Sequence, residues 1–215
     1  MTDQPDEHAT RADVLFTAKD LVRRGLVEGT SGNVSARLDP ERVCMTPSSL
    51  SYETMTVDDL CIVDLDGNVL DGERGPTSEK DLHLACYRSY PELNGVIHCH
   101  AVYATMFAVT RQMVQAAVEE VTIYLGGDIP CADYRVTGSA ELGDEVARHL
   151  KDRSAVLVAS HGIVTVGTTL DRALHNAALV ERTAKIVWGA RQIGTVAEIP
   201  PEVNERFAGY YPFMR

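Results

Sequence analysis

Val96-Ile97-His98-Cys99-His100 is an apolar run that closes on two histidines one residue apart. In an extended strand, residues i and i+2 share a face. Both imidazoles therefore leave the backbone side by side, at the spacing that two ligands of one metal ion require. A His-x-His pair alone is weak evidence for a metal. Two further residues sharpen it: Glu79, upstream at the mouth of a helix, and His161, after another apolar strand. Three neutral imidazoles and one carboxylate form a candidate zinc site that can leave a position open for substrate. Cys99, between the two histidines, points to the opposite face of the strand and is expected in the core.

The segments before this stretch read as strands joined by short turns. Val34-Ser35 leads to a hairpin at Asp39-Pro40-Glu41, then to Val43-Cys44-Met45. Leu60 to Asp64 is a further strand, turned at Asp66-Gly67-Asn68 into Val69-Leu70. Two-residue turns make antiparallel neighbours, whereas parallel ones need long crossovers. Apolar residues at helical spacing predict helices over about 10–24, 79–90, 101–109, 139–150 and 170–193. Thr77 or Ser78 is a reasonable N-cap for the second of these, and Glu79 sits in its first turn. Ala155–Ala159 and Ile163–Val166 read as buried strands. Residues 114–125 look strand-like but are broken by Glu119-Glu120. With no repeat and no linker, residues 1–215 are expected to form one domain, with 1–9 flexible.

Composition narrows the function. Apolar content of 45% with 24% charged residues is that of an ordinary globular protein. A net charge of −11 argues against nucleic acid as the main partner. No run approaches the roughly 18 apolar residues of a membrane span, and the polar, acidic start lacks the apolar core of a signal peptide. The five cysteines (Cys44, Cys61, Cys86, Cys99, Cys131) are odd in number and mostly lie in apolar runs. Reduced, buried thiols in a cytoplasmic protein explain them better than disulfides.

Three turns are rich in hydroxyl residues and glycine: Gly29-Thr30-Ser31-Gly32-Asn33, Thr46-Pro47-Ser48-Ser49 and Pro76-Thr77-Ser78-Glu79. Each can leave N–H groups open to an oxyanion, the last at a helix N-terminus. Taken singly, the first reads sooner as a plain turn, and Glu79 reads equally as a carboxylate complementing the helix dipole. His83 follows Glu79 by four residues on the same helix face and reads as structural rather than as a ligand.

Taken together and in this order, these turns, His98-Cys99-His100 and Ser160-His161-Gly162 resemble the class II aldolase/adducin family over nearly the whole chain. The resemblance implies an α/β fold, a three-layer αβα domain around a largely antiparallel sheet. It implies a homotetramer with active sites between subunits, and a divalent ion, zinc with manganese or cobalt as substitutes. By motif, His98, His100 and His161 resemble the metal-binding histidines, and Glu79 the carboxylate that both touches the metal and moves the proton. Gly32 and Asn33, Ser48 and Ser49, and Thr77 and Ser78 resemble the substrate phosphate cradle. The activity implied is reversible cleavage of a ketose 1-phosphate to dihydroxyacetone phosphate and a short aldehyde, through a zinc-stabilised enediolate.

The chain departs from the family pattern in one place that matters. A family tyrosine that reaches across from a neighbouring subunit falls, counting back from Gly126-Gly127, on Glu120. Tyr124 lies near enough in sequence to replace it, or Glu120 takes the role itself. Tyr210 resembles a second family tyrosine that closes over the site. Ser49 stands where the family often has glycine. Rival readings within the family are a sugar-phosphate 4-epimerase, whose members look to carry aspartate in place of Glu79, and decarboxylases or dehydratases of related sugar acids and thiosugars. The family's adducin branch, a non-catalytic binding module, looks to have lost the metal ligands that this chain retains.

Overall fold

The computed structural model describes residues 6–215. Eight strands make one sheet: β1 (Asn33–Arg37), β2 (Arg42–Met45), β3 (Cys61–Asp64), β4 (Val69–Asp71), β5 (Gly95–Cys99), β6 (Cys131–Ala132), β7 (Ala155–Val158) and β8 (Gly162–Gly167). Their spatial order is β4-β3-β2-β1-β5-β8-β7-β6. The short edge pair β6–β7 is parallel and the other pairs are antiparallel. Aspartates close the two tight hairpins. Asp39 accepts from the backbone of Glu41 and Arg42, and Asp64 from that of Asp66 and Asn68, the turn chemistry that favours Asp there.

Among the described residues eight α-helices accompany the sheet: α1 (Glu7–Arg23), α2 (Lys80–Ser89), α3 (Val102–Thr110), α4 (Glu119–Leu125), α5 (Ala140–His149), α6 (Leu170–Ile193), α7 (Pro201–Ala208) and α8 (Tyr211–Met214). Side-chain alternation sorts them into two layers. Val96, Val156, Val158, Val164 and Val166 face α2 and α5. Ile97, Cys99, Leu157 and Ile163 face α1, α3 and α6 on the other side. This is a three-layer αβα fold around a largely antiparallel sheet, as the resemblance implies. Cys99 is fully buried on the face away from α2. Among the described residues no helix is long and apolar enough to cross a membrane.

The structure corrects three expectations. Residues 1–5 lie outside the described residues, but 6–9 open α1 instead of preceding it: the Asp6 side chain accepts from the N–H of His8, and Arg11 then ties the helix to the Leu60 carbonyl and Asp71. Residues 119–125 form a helix, not an interrupted strand. Val121 and Leu125, four apart, are buried, and Glu119 and Glu120 sit at the positive end of the helix dipole. Finally, Glu79 itself occupies the N-cap of α2 without a side-chain cap bond, while Thr77 Oγ1 accepts from the Glu79 N–H at 3.2 Å.

One side chain anchors the turn out of β5. Glu181 of α6 accepts from the N–H groups of Tyr103 and Ala104, both at 3.0 Å, and so caps α3 from outside. Charged acceptors at a helix N-terminus contribute roughly 1–2 kcal/mol. Glu181→Ala is therefore expected to lower the urea unfolding free energy by about that amount, and an unchanged midpoint would count against this capping role.

Candidate active site

One strand end and one turn bring the histidines together. His98 is the fourth residue of β5 and His100 follows the strand directly. His161 is delivered by the turn between β7 and β8, where Ser160 holds a left-handed φ of 57°. That uncommon conformation is clamped: Ser160 Oγ accepts from Arg111 Nη2 at 2.8 Å, and Ser160 N–H bonds the Ala108 carbonyl. Gly162 then admits β8 to β5. A Cβ on it would stand 2.4 Å from the Cys99 carbonyl oxygen and 2.9 Å from the His100 ring. The three rings lie 4.5 to 4.9 Å apart, centre to centre. Their ligand atoms fall within 4.8 Å of one another, a group able to hold a metal ion.

Hydrogen bonding aims the cluster. His98 Nδ1 donates to the Ile163 carbonyl at 2.9 Å, which turns its Nε2 lone pair towards the other rings. Burial, reinforced by the neighbouring histidines, pushes the pKa of His98 far down and that of His100 down as well. Glu79 borders the group, with Oε2 3.3 Å from His98 Nε2 and Oε1 3.5 Å from His161 Nε2. Its Oε1 is buried without a hydrogen-bond donor. Acceptors that converge on one buried point with too few donors suit a divalent cation, and the imidazole and carboxylate donor set is one that zinc, manganese and cobalt accept. The residues present thus fit the metal that the family implies.

The three hydroxyl-rich turns meet through Thr46, which is fully buried. Its Oγ1 accepts from Val34 N–H, its N–H donates to the Val34 carbonyl, and its carbonyl accepts from Thr77 N–H. A bridge between Pro47 and Pro76 and a bond from Ser48 N–H to the Gly75 carbonyl lay the second turn along the third. Ser48, Ser49 and Ser78 are exposed at this edge. Ser49 has φ 57°, the conformation that suits the glycine often found there in the family. Gly32 has φ 78°, and a Cβ there would strike Val27 and the His98 carbonyl. The buried side chains are committed elsewhere: Thr77 bonds the Glu79 N–H, and the Asn33 amide bonds Glu79 Oε2 at 2.9 Å and His83 at 2.5 Å.

A cleft of about 550 Å³ opens beside His100, bordered by Gly25, Val27, Glu28, Ser31 and Val102. A larger cavity, about 860 Å³, lies against the β1–β2 hairpin, but no histidine or cysteine lines it. Tyr124, Glu120 and Tyr210 make their contacts away from His98, His100 and His161 of their own chain. Tyr124 packs on His175 and Arg172, Glu120 pairs with Arg182, and Tyr210 lies against Phe207, half-exposed. Thr46, Ser35 and Tyr87 also border the site, although no motif of the sequence singles them out. Spacing alone is the signal: Ser35 stands two residues from Asn33, and Tyr87 is eight from Glu79, the same helix face.

A model described as Class II Aldolase and Adducin N-terminal domain matches residues 12–188. The chain belongs to this family. Curated members similar to it include an L-ribulose-5-phosphate 4-epimerase, UlaF, of Salmonella paratyphi C (strain RKS4594), 40% identical over 85% of this chain and 86% of the relative. A 5-deoxy-D-ribulose 1-phosphate aldolase of Bacillus thuringiensis serovar kurstaki is 32% identical over 93% and 96%. Among solved members, an L-fuculose 1-phosphate aldolase superposes with a TM-score of 0.91 at 31% identity, covering 96% of this chain and 98% of its own. These relatives thus carry the names of both sugar-phosphate aldolases and a sugar-phosphate epimerase.

Two outcomes test this geometry. Gly162→Ala is expected to abolish zinc binding measured by calorimetry, because the added methyl pushes β8 off Cys99 and His100. A variant binding zinc as the parent does would refute the close-approach argument. The second concerns acid. His83 is fully buried and its pKa is pushed down to about 3 by burial, so the native state excludes a proton that the unfolded chain takes up near 6.5. Stability of metal-free protein is expected to be full above about pH 6.5 and to fall below it, by about 1 kcal/mol per pH unit for each such histidine. Equal urea midpoints at pH 7.5 and 5.5 would contradict this.

Proposed function

We propose that this protein is a metal-dependent aldolase that reversibly cleaves a ketose 1-phosphate to dihydroxyacetone phosphate and a short aldehyde. The observation that carries the reading is Glu79, a buried carboxylate with Oε2 held by Asn33 beside His98 and Oε1 undonated beside His161. Such an oxygen is placed to take a proton from a substrate carbon and return it, a role worth roughly 10²–10⁴-fold. His98, His100 and His161, with Glu79, would hold the divalent ion. When bound, that ion supplies Lewis-acid stabilisation of the negative charge that develops beside the substrate carbonyl.

The remaining roles follow from the turns. Hydroxyls of Ser48, Ser49 and Ser78, with backbone N–H groups of Gly32, Asn33 and the start of α2, hold the phosphate and so fix the reacting carbons against Glu79. Thr77 supports this edge through its bond to the Glu79 backbone. Tyr124, Glu120 and Tyr210 lie apart from His98, His100 and His161 of their own chain, so their place on the aldehyde side belongs to a neighbouring subunit of a homotetramer. A cytoplasmic setting is proposed with this: all five cysteines are free thiols, four of them buried.

A second reading has its own support. The 40% identical relative is named as a 4-epimerase, and epimerisation uses the same metal and phosphate parts. The length of Glu79, against the aspartate that epimerases of the family resemble one another in carrying, favours cleavage. Incubation with a panel of ketose 1-phosphates and with L-ribulose 5-phosphate, with and without chelator, separates them. Dihydroxyacetone phosphate released only in the metal-loaded arm is expected; inversion of L-ribulose 5-phosphate at C4 without cleavage would replace this reading with the second. Glu79→Gln is expected to retain zinc but to cleave at least about 100-fold more slowly. Near-parental turnover would remove Glu79 from the chemistry.

A further inference from the structure

Behind Glu79 a line of buried polar side chains runs into the interior between β1 and α2. Asn33 Nδ2 reaches Glu79 Oε2 at 2.9 Å, His83 Nε2 reaches Asn33 Oδ1 at 2.5 Å, and Ser35 Oγ lies 2.7 Å from His83 Nδ1 and 2.9 Å from the Tyr87 hydroxyl. All five residues are buried, with exposures between 0 and 6%. Aliphatic side chains of α2, β2 and β5 surround them on this side of the sheet.

The direction of every proton in this line is forced from its outer end. A carboxylate offers only acceptors, so Asn33 must present its NH₂ to Glu79 and its oxygen to His83. His83 must then carry its proton on Nε2, which leaves Nδ1 an acceptor. Ser35 therefore donates to Nδ1, and Tyr87 donates to Ser35. Burial pushes the His83 pKa down to about 3 and the Tyr87 phenol up, so neither group changes protonation near neutral pH and the line keeps one polarity.

We propose that His83 is a positioning residue for Glu79: through Asn33 it aims one N–H donor at Oε2 and leaves Oε1 alone to face the substrate proton. Without it, the Asn33 amide is free to rotate by half a turn, which would set its oxygen against the carboxylate and swing Glu79 away. This inference rests on the role given to Glu79 above. It assigns a function to a histidine that coordinates nothing, and it explains why Glu79, His83 and Tyr87 recur at intervals of four along α2.

Four variants and one spectrum test it, all on the full chain. Glutamine places its side-chain N–H₂ where the imidazole has Nε2, whereas asparagine is too short to reach Asn33. His83→Asn is expected to lower kcat about 10- to 100-fold with KM and the calorimetric zinc affinity within about threefold, and His83→Gln to recover kcat to within about fivefold. In metal-free protein labelled with ¹⁵N-histidine, the His83 imidazole is expected to hold its proton on Nε2 without titrating from pH 5 to 9, and to lose that tautomer preference in Asn33→Ala. A proton on Nδ1, an unimpaired His83→Asn, or a His83→Gln as slow as His83→Asn would each overturn the proposal. The spectrum decides even where a variant fails to fold. Glu79→Gln, measured alongside, distinguishes the two layers: if it turns over normally, the role of Glu79 fails; if it is slow while His83→Asn is not, only the positioning role fails.

Discussion

Antiparallel registration of β1, β5 and β8 carries the whole site. It sets Asn33 opposite His98 and His98 opposite Val164, and it brings Cys99 against Ile163 just before the His161 turn folds back. Since side chains alternate with a period of two, a slip of one residue in β5 would turn His98 to the α1 and α6 side and bring Cys99 to the metal side. The register is held from both faces, by Val96, Val164 and Val166 on one and by Ile97 and Ile163 on the other. Apolar packing thus does indirectly what no single polar contact could: it fixes where three imidazoles meet.

Set into that apolar frame, the polar groups behind Glu79 are costly unless complete. A buried donor or acceptor left unpaired costs about 1–3 kcal/mol, and here four consecutive links each satisfy two groups. Geometry therefore allows one arrangement of protons rather than several. The metal side shows the opposite balance, with acceptors in excess and Glu79 Oε1 undonated. One half of the carboxylate is saturated by protein while the other half is left open.

Much of this was legible in the chain. The strand spacing of His98 and His100, the hydroxyl-rich turns and the long helix over 170–193 follow from local periodicity and turn chemistry, which act over a few residues. What escaped depends on contacts between distant segments. The helix at 119–125 looked strand-like because Val118, Val121, Thr122 and Ile123 favour strands, and only burial of Val121 and Leu125 against the core reveals the period of four. Asn33 read as part of the anion cradle because its neighbours are small and polar. The structure gives its amide to Glu79 and His83, 46 and 50 residues away, a pairing that no local pattern encodes. Thr46 was visible as a turn residue but not as the point at which three turns are tied.

That last feature bears on how such a catalyst can change over evolutionary time. Because Thr46 is bonded into all three turns at once, a substitution there disturbs all of them together instead of retuning one. Selection for new substrates would then be channelled away from this corner and towards the periphery, where α4 and the C-terminal helices carry Glu120, Tyr124 and Tyr210 on separate supports. Lineages sharing this fold would be expected to keep the corner around Thr46 while diversifying the periphery, and a library built to alter specificity should be randomised accordingly.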